Sequence, residues 1–153
     1  MKTIILGIGN DIVKDDGVGI YTADLLKKVL TNDNIIIETT HSAGIYILDF
    51  IEGYHKAILI DSIKTKDGKP GTIYKINLRD LKVKNHPHFL HTVDLLQMIL
   101  LYKDHDVKLP TDITLYAIEA GDTSGFGEHL SPAVKKSAHK LFHRLKKELL
   151  LEL

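Results

Sequence analysis

The chain is expected to be an α/β protein: a three-layer α/β/α sandwich around a twisted, mostly parallel sheet with one antiparallel excursion. Three observations carry that expectation. Short apolar runs alternate with segments whose apolar residues recur at helical spacing, the pattern of strands joined through helices. The run from Lys56 to Ile63 is largely apolar, as a central strand buried on both faces should be. Finally, the loop Gly7–Gly19, GIGNDIVKDDGVG, follows the first apolar run, where α/β proteins place ligands.

The elements follow in order. Thr3–Gly7 reads as the first strand, and Gly17–Leu30 as a helix with Val18, Thr22, Leu25, Leu26 and Val29 on one face. Asn34–Glu38 is a second strand, and Ser42 is placed to cap a helix carrying Ile47, Leu48 and Ile51. After the third strand, Lys56–Ile63, the turn Lys66-Asp67-Gly68-Lys69-Pro70-Gly71 feeds a short strand, Thr72–Asn77, expected to run antiparallel. A helix near Val93–Leu101 and a strand at Asp112–Ile118 come next. Ser131-Pro132 is expected to cap the last helix, with Val134, Ala138, Leu141, Leu145 and Leu149 as its buried stripe. No repeat, low-complexity tract or composition break divides the chain, so residues 1–153 are read as a single domain.

Composition narrows the chemistry. With 153 residues, 44% hydrophobic and 26% charged, the chain can bury a sizeable core unaided. Cysteine is absent, which removes disulfides, thiolate metal sites and cysteine nucleophiles together. Net charge is zero and no long basic stripe appears, so no nucleic-acid partner is expected. The basic residues of the last helix (Lys135, Lys136, Lys140, Arg144, Lys146 and Lys147) read as a solvated face. No segment reaches membrane-spanning length, so no membrane insertion is expected and a cytoplasmic location is.

Three segments could carry chemistry. In the glycine-acid loop, Asp15 and Asp16 stand where a helix should begin. The helix dipole favours each by roughly 0.3–1 kcal/mol, which accounts for one acid more comfortably than two. Asp61 ends an apolar strand on the same sheet edge, where an isolated Asp is more often a turn former or a cap. The stretch Asn85-His86-Pro87-His88-Phe89-Leu90-His91 is histidine-dense, though nine histidines make chance clusters expected. Carboxylates gathered in a cleft need a cation or a proton, because like charges raise one another's pKa. Oxygen and imidazole donors without thiolates suit nickel, zinc or manganese. There is neither an HExxH helix nor a GxSxG elbow.

The segment Gly7-Ile8-Gly9-Asn10 followed by Asp15-Asp16-Gly17-Val18-Gly19 resembles the N-terminal motif of the hydrogenase maturation endopeptidases. The likeness continues in order through Ser42-Ala43-Gly44, the strand ending in Asp61, the turn Lys69-Pro70-Gly71-Thr72, Pro87-His88 and Leu130-Ser131-Pro132. It implies a phosphorylase/hydrolase-like fold and an endopeptidase that removes a C-terminal extension from the large-subunit precursor of nickel–iron hydrogenases. By the same resemblance the family's metal-binding and catalytic positions fall on Asp16, Asp61 and His88. His88 follows Pro87 and precedes Asp94 at the family interval, while His86 and His91 are alternative ligands or solvated neighbours. The metal implied is nickel already held by the precursor, which serves as a recognition mark: no nickel, no cleavage. No organic cofactor is implied. The chain departs from the family pattern at Glu38-Thr39-Thr40-His41, where relatives show an Asp followed by Gly-Thr or Gly-Gly-Thr.

Other classes fit less well. A receiver-like signalling module would use Asp15, Asp16 and Asp61 to bind a divalent metal, but receivers put the acid pair directly at the strand end. Receivers also carry a lysine after the last strand, where this chain has Glu119-Ala120-Gly121. A dinucleotide fingerprint fails at Ile12, which stands where the third glycine belongs. Peptidyl-tRNA hydrolases share a GxGN-like strand end, yet their catalytic His has no counterpart and a neutral chain suits tRNA poorly.

Overall fold

The computed structural model describes residues 1–42, 44–78, 97, 99, 102 and 105–152. His86, His88 and His91, and most of the helix expected near Val93–Leu101, lie outside the described residues. The described strands are β1 (Thr3–Ile8), β2 (Ile35–Thr40), β3 (Lys56–Ile63), β4 (Ile73–Asn77) and β5 (Asp112–Glu119). The described helices are α1 (Val18–Lys27), α2 (Tyr46–Ile51) and α3 (Pro132–Leu151), with a 3₁₀ turn at Lys14–Gly17 before α1.

The five strands form one sheet in the order β2-β1-β3-β5-β4. β1 pairs in parallel with β2 (Thr3 opposite Ile35) and with β3 (Thr3 opposite Lys56), and β3 pairs in parallel with β5. Only β4 runs antiparallel, along β5, with Ile73 opposite Ile118. The expected antiparallel excursion is therefore the edge strand. β1 sits inside the sheet and is buried at all six positions, which is why it reads as an unbroken apolar run.

Alternation along the strands sorts side chains into two cores. Ile5, Ile58, Ile60, Tyr116 and Ile118 face α1 and α3, meeting Val134, Ala138, Leu141, Leu145 and Leu149 of α3. Ile4, Leu6, Leu59, Ile113 and Leu115 face the other way, against Ile47, Leu48 and Ile51 of α2 and against Ile99 and Tyr102. Each such buried aliphatic side chain contributes about 1.5–3 kcal/mol relative to exposure. Helices thus cover both sheet faces, as the apolar periodicity requires.

Several boundaries differ from the sequence reading, each for a physical reason. α1 ends at Lys27, and Val29 lies beyond it, 46% exposed. Its buried face instead carries Gly19, Ile20 and Ala23 beside Val18, Thr22 and Leu26, because α1 lies unusually close to the sheet. A Cβ on Gly7 would come within 2.7 Å of the Ala23 Cβ, and one on Gly19 would overlap the carbonyl oxygens of Ile60 and Ile8. β2 runs on to Thr40. Ser42 does not cap α2: its N–H bonds Thr40 Oγ1 at 2.9 Å, and α2 starts after Ile45 without a side-chain cap. Ser131 does precede α3, but its hydroxyl is used elsewhere. Among the described residues, no helix is long and apolar enough to cross a membrane.

Candidate active site

The sheet order places a switch point between β1 and β3: the chain leaves β1 for β2 on one side and returns to β3 on the other. The crevice above the carboxyl ends of two such strands is the usual ligand site of an open α/β sheet. Asp16 lies in the loop after β1, and Asp61 lies near the carboxyl end of β3.

The loop after β1 is folded by its own backbone. Gly9 has φ +147°, and a Cβ there would collide with the Asp16 carbonyl, so glycine lets the loop close on itself. The Asn10 N–H bonds the Asp16 carboxylate at 3.1 Å, and the Asn10 side-chain oxygen accepts from the Ile12 N–H at 3.2 Å. Lys14 adopts φ +45°, a left-handed conformation that costs a non-glycine residue of order 1–3 kcal/mol. Its N–H bonds the Gly127 carbonyl at 2.7 Å, and its ammonium reaches the Asp122 carboxylate, also at 2.7 Å. That ammonium, with Ser124, holds the Asp122 carboxyl far below the ordinary carboxylate range.

The two adjacent acids have separate duties. Asp15 is completely buried. Its carboxylate accepts the N–H groups of Gly121 (2.8 Å), Asp122 (2.7 Å) and Ser131 (2.6 Å), and the Ser131 hydroxyl at 2.6 Å. Burial pushes its pKa up, but the Ser131 hydroxyl and the three amides outweigh it, and the net shift is downward. Asp15 therefore ties the β1 loop to the segment after β5 and to the start of α3. Its carboxylate is fully engaged there, and a three-acid pocket of Asp15, Asp16 and Asp61 does not form.

Asp16 is half-buried and faces β3. Its Oδ1 accepts the Ser62 hydroxyl at 2.8 Å, while Oδ2 takes the Asn10 amide. Asp61, next in the chain to Ser62, accepts the Ser62 N–H at 2.7 Å. Ser62 thus bonds both carboxylates at once. Burial pushes the Asp61 carboxyl up from 3.8 to about 7; the Ser62 amide opposes this, and the negative charge of Asp16 adds to it. Near neutrality Asp61 is therefore only partly ionised. Such a pair can take up a divalent cation in place of the proton, or pass a proton to a reacting group.

The side-chain oxygens in this arrangement are hard donors that alone suit manganese or magnesium, and with an added imidazole suit nickel or zinc. Among the described residues no cluster of three or more His, Cys, Asp or Glu side chains could hold a metal ion. Asp16 and Asp61 are brought together; His88, the third candidate, lies outside the described residues.

The sequence reading missed Ser62, Asn10 and Glu119. Glu119 is fully buried at the end of β5, where it accepts the Thr65 N–H at 3.1 Å and a short bond from the Thr65 hydroxyl. Lys64 adds bonds to the carbonyls of Ala120 (3.2 Å) and Gly121 (2.8 Å). Together they fasten the loop after β3 to the end of β5, which steadies the strand end bearing Asp61 and Ser62. An acid closing an apolar strand was the only signal for Glu119. At the departure from the family pattern, His41 lies 3.2 Å from the Asp11 carboxylate, both side chains exposed.

The family model for hydrogenase maturation proteases (HycI) matches residues 20–148. A candidate hydrogenase maturation protease of Methanocaldococcus jannaschii is 34% identical over 95 residues, covering 60% of this chain and 61% of that protein. The chain thus spans about three fifths of that relative's length. The Hydrogenase 2 maturation protease of Escherichia coli is 28% identical over 116 residues, 71% of this chain and 70% of that one. Among solved structures, the [NiFe] hydrogenase maturation protease HybD from Thermococcus kodakarensis aligns over 96% of this chain and 98% of its own, with TM-score 0.70 and 25% identity. A family match running from the first helix into the last, with an acid-bearing crevice at the switch point, leads to one conclusion: the chain belongs to the hydrogenase maturation protease family.

Proposed function

We propose that this protein, acting as a single domain over residues 1–153, is an endopeptidase that removes the C-terminal extension of a nickel–iron hydrogenase large-subunit precursor after nickel insertion. Asp16, Asp61 and His88 are the residues assigned to the substrate-held nickel. The observation that carries the reading is the meeting of Asp16 and Asp61 over Ser62 at the sheet switch point, in a member of a maturation-protease family.

The chemistry supports it in steps. Two carboxylates and a neutral imidazole balance a divalent charge, so a precursor carrying the metal gains an attraction that the empty precursor lacks. The proton that Asp61 holds part of the time near neutrality spares the empty crevice a full second negative charge, and it is displaced when a cation arrives. The nickel is part of the substrate in this scheme. A metal ion beside the scissile bond can polarise its carbonyl, while the chain's own residues orient and hold it.

The test is incubation with nickel-loaded and nickel-free large-subunit precursor, followed by intact mass. Loss of a C-terminal peptide from the loaded form alone is expected, with Asp16→Asn, Asp61→Asn and His88→Ala each reducing it at least a hundredfold while remaining folded. Equal cleavage of both precursors would remove the metal-reading role, and undiminished processing by all three variants would remove the site assignment.

A further inference from the structure

Ser62 occupies a position that neither the sequence reading nor the family match assigns. Its hydroxyl donates to Asp16 Oδ1 at 2.8 Å, and its backbone N–H donates to Asp61 Oδ1 at 2.7 Å. One residue therefore spans two acids that come from different elements and whose charges repel. The Asn10 N–H takes the other Asp16 oxygen at 3.1 Å, so that carboxylate is held from both ends. A carboxylate has about four lone-pair directions, and these two bonds leave roughly half of them open. Asp16 is thus oriented without being consumed, in contrast to Asp15, whose four bonds leave it no such capacity.

We propose that Ser62 is a positioning residue that sets Asp16 and Asp61 side by side in the arrangement that receives the substrate's metal. The inference rests on the reading of the acid pair given above. Side-chain torsions of Asp16 would otherwise relax away from Asp61 under like-charge repulsion, and the precursor would have to restore the arrangement at the cost of affinity. The hydroxyl is the separable part of the device: Ser62→Ala keeps the N–H bond to Asp61 and removes only the bond to Asp16. Ser62→Thr restores the hydroxyl on a residue well suited to a strand.

The experiment compares the equilibrium affinity of the full-length protein for one nickel–iron hydrogenase large-subunit precursor, prepared with and without nickel. Groups that orient metal ligands typically contribute 10–100-fold in metal affinity. Ser62→Ala is therefore expected to narrow the nickel-loaded to nickel-free affinity ratio about tenfold. It should raise KM for the loaded precursor more than it lowers kcat, at an unchanged melting temperature, and Ser62→Thr should recover the ratio. An unaltered ratio in Ser62→Ala would overturn the proposal, as would equal losses in the Ala and Thr variants. Asp16→Asn and Asp61→Asn run in parallel. If they too leave the ratio at the wild-type value, the reading of the acid pair itself fails and takes this one with it. If they abolish it while Ser62→Ala does not, only the role of Ser62 is lost.

Discussion

Asp15 and Asp16 are neighbours in the chain with opposite surroundings, and each makes a different prediction. Asp15 is buried with four donors on its carboxylate, so its substitution leaves those donors mismatched. Asp15→Asn should cost about 3 kcal/mol at pH 7, read by urea denaturation. Because its folded pKa is lowered, its contribution is present above the ordinary carboxylate value and lost as pH falls through and below it. Asp61 behaves in the reverse sense. Its pKa rises from 3.8 to about 7, so the folded state binds the proton more tightly and stability declines as pH rises through that window. Asp61→Asn, which cannot ionise, should therefore stabilise the domain at pH 8 by on the order of 2 kcal/mol after discounting for partial exposure. The gain should shrink as pH falls through that window and vanish below about pH 3, where the wild-type carboxyl is neutral in both states. Thermal melts of both proteins across that range check it. The sequence offered no local way to divide labour between the two acids: Asp15 is identified by Ser131, 116 positions away. Only the family resemblance singled out Asp16. Ser62 was invisible because a serine beside an acid carries no pattern until Asp16 is folded against it.

At the scale of elements, strand identity was legible and helix position less so. β1, β3 and β5 announce themselves because both faces are buried, and a short continuous apolar run is what burial on two faces demands. The face of α1 was misjudged because period counting rewards large apolar residues, whereas this helix approaches the sheet through Gly19 and Ala23. The consequence is a substitution whose sign opposes helix propensity. In an exposed helix Gly→Ala gains about 1 kcal/mol. At position 19 the new Cβ overlaps two backbone carbonyls, which cannot swing aside as a side chain would. Gly19→Ala is expected to destabilise by about 3 kcal/mol, measured by denaturant unfolding, and to weaken the packing of α1 beneath the site. Likewise, Ser42 and Ser131 both looked like caps. The hydroxyl of Ser131 was drawn off by a buried charge, and α2 begins beyond the reach of Ser42. Cap residues are read from local sequence, but their oxygens go to whichever donor or acceptor the tertiary fold presents.

Over the whole molecule, the alternation of strands and helices specified the three layers, while the strand order came from pairings no local pattern encodes. That order matters to the proposed site because it sets β1 beside β3 and so puts the two acids above one crevice. It also gives the site a history. The loop bearing Asp16 is fastened through Asp15 to partners 106, 107 and 116 residues downstream. Contacts of such separation form late, since their loop-closure entropy must be met first. A chain in which Ser131 has not yet been made has β1 and β3 available but lacks the Ser131 part of the Asp15 clamp on that loop. The loop that carries Asp16 is thus tied by chain connectivity to a segment more than a hundred residues downstream, and its last clamp closes only when that segment has folded back onto it.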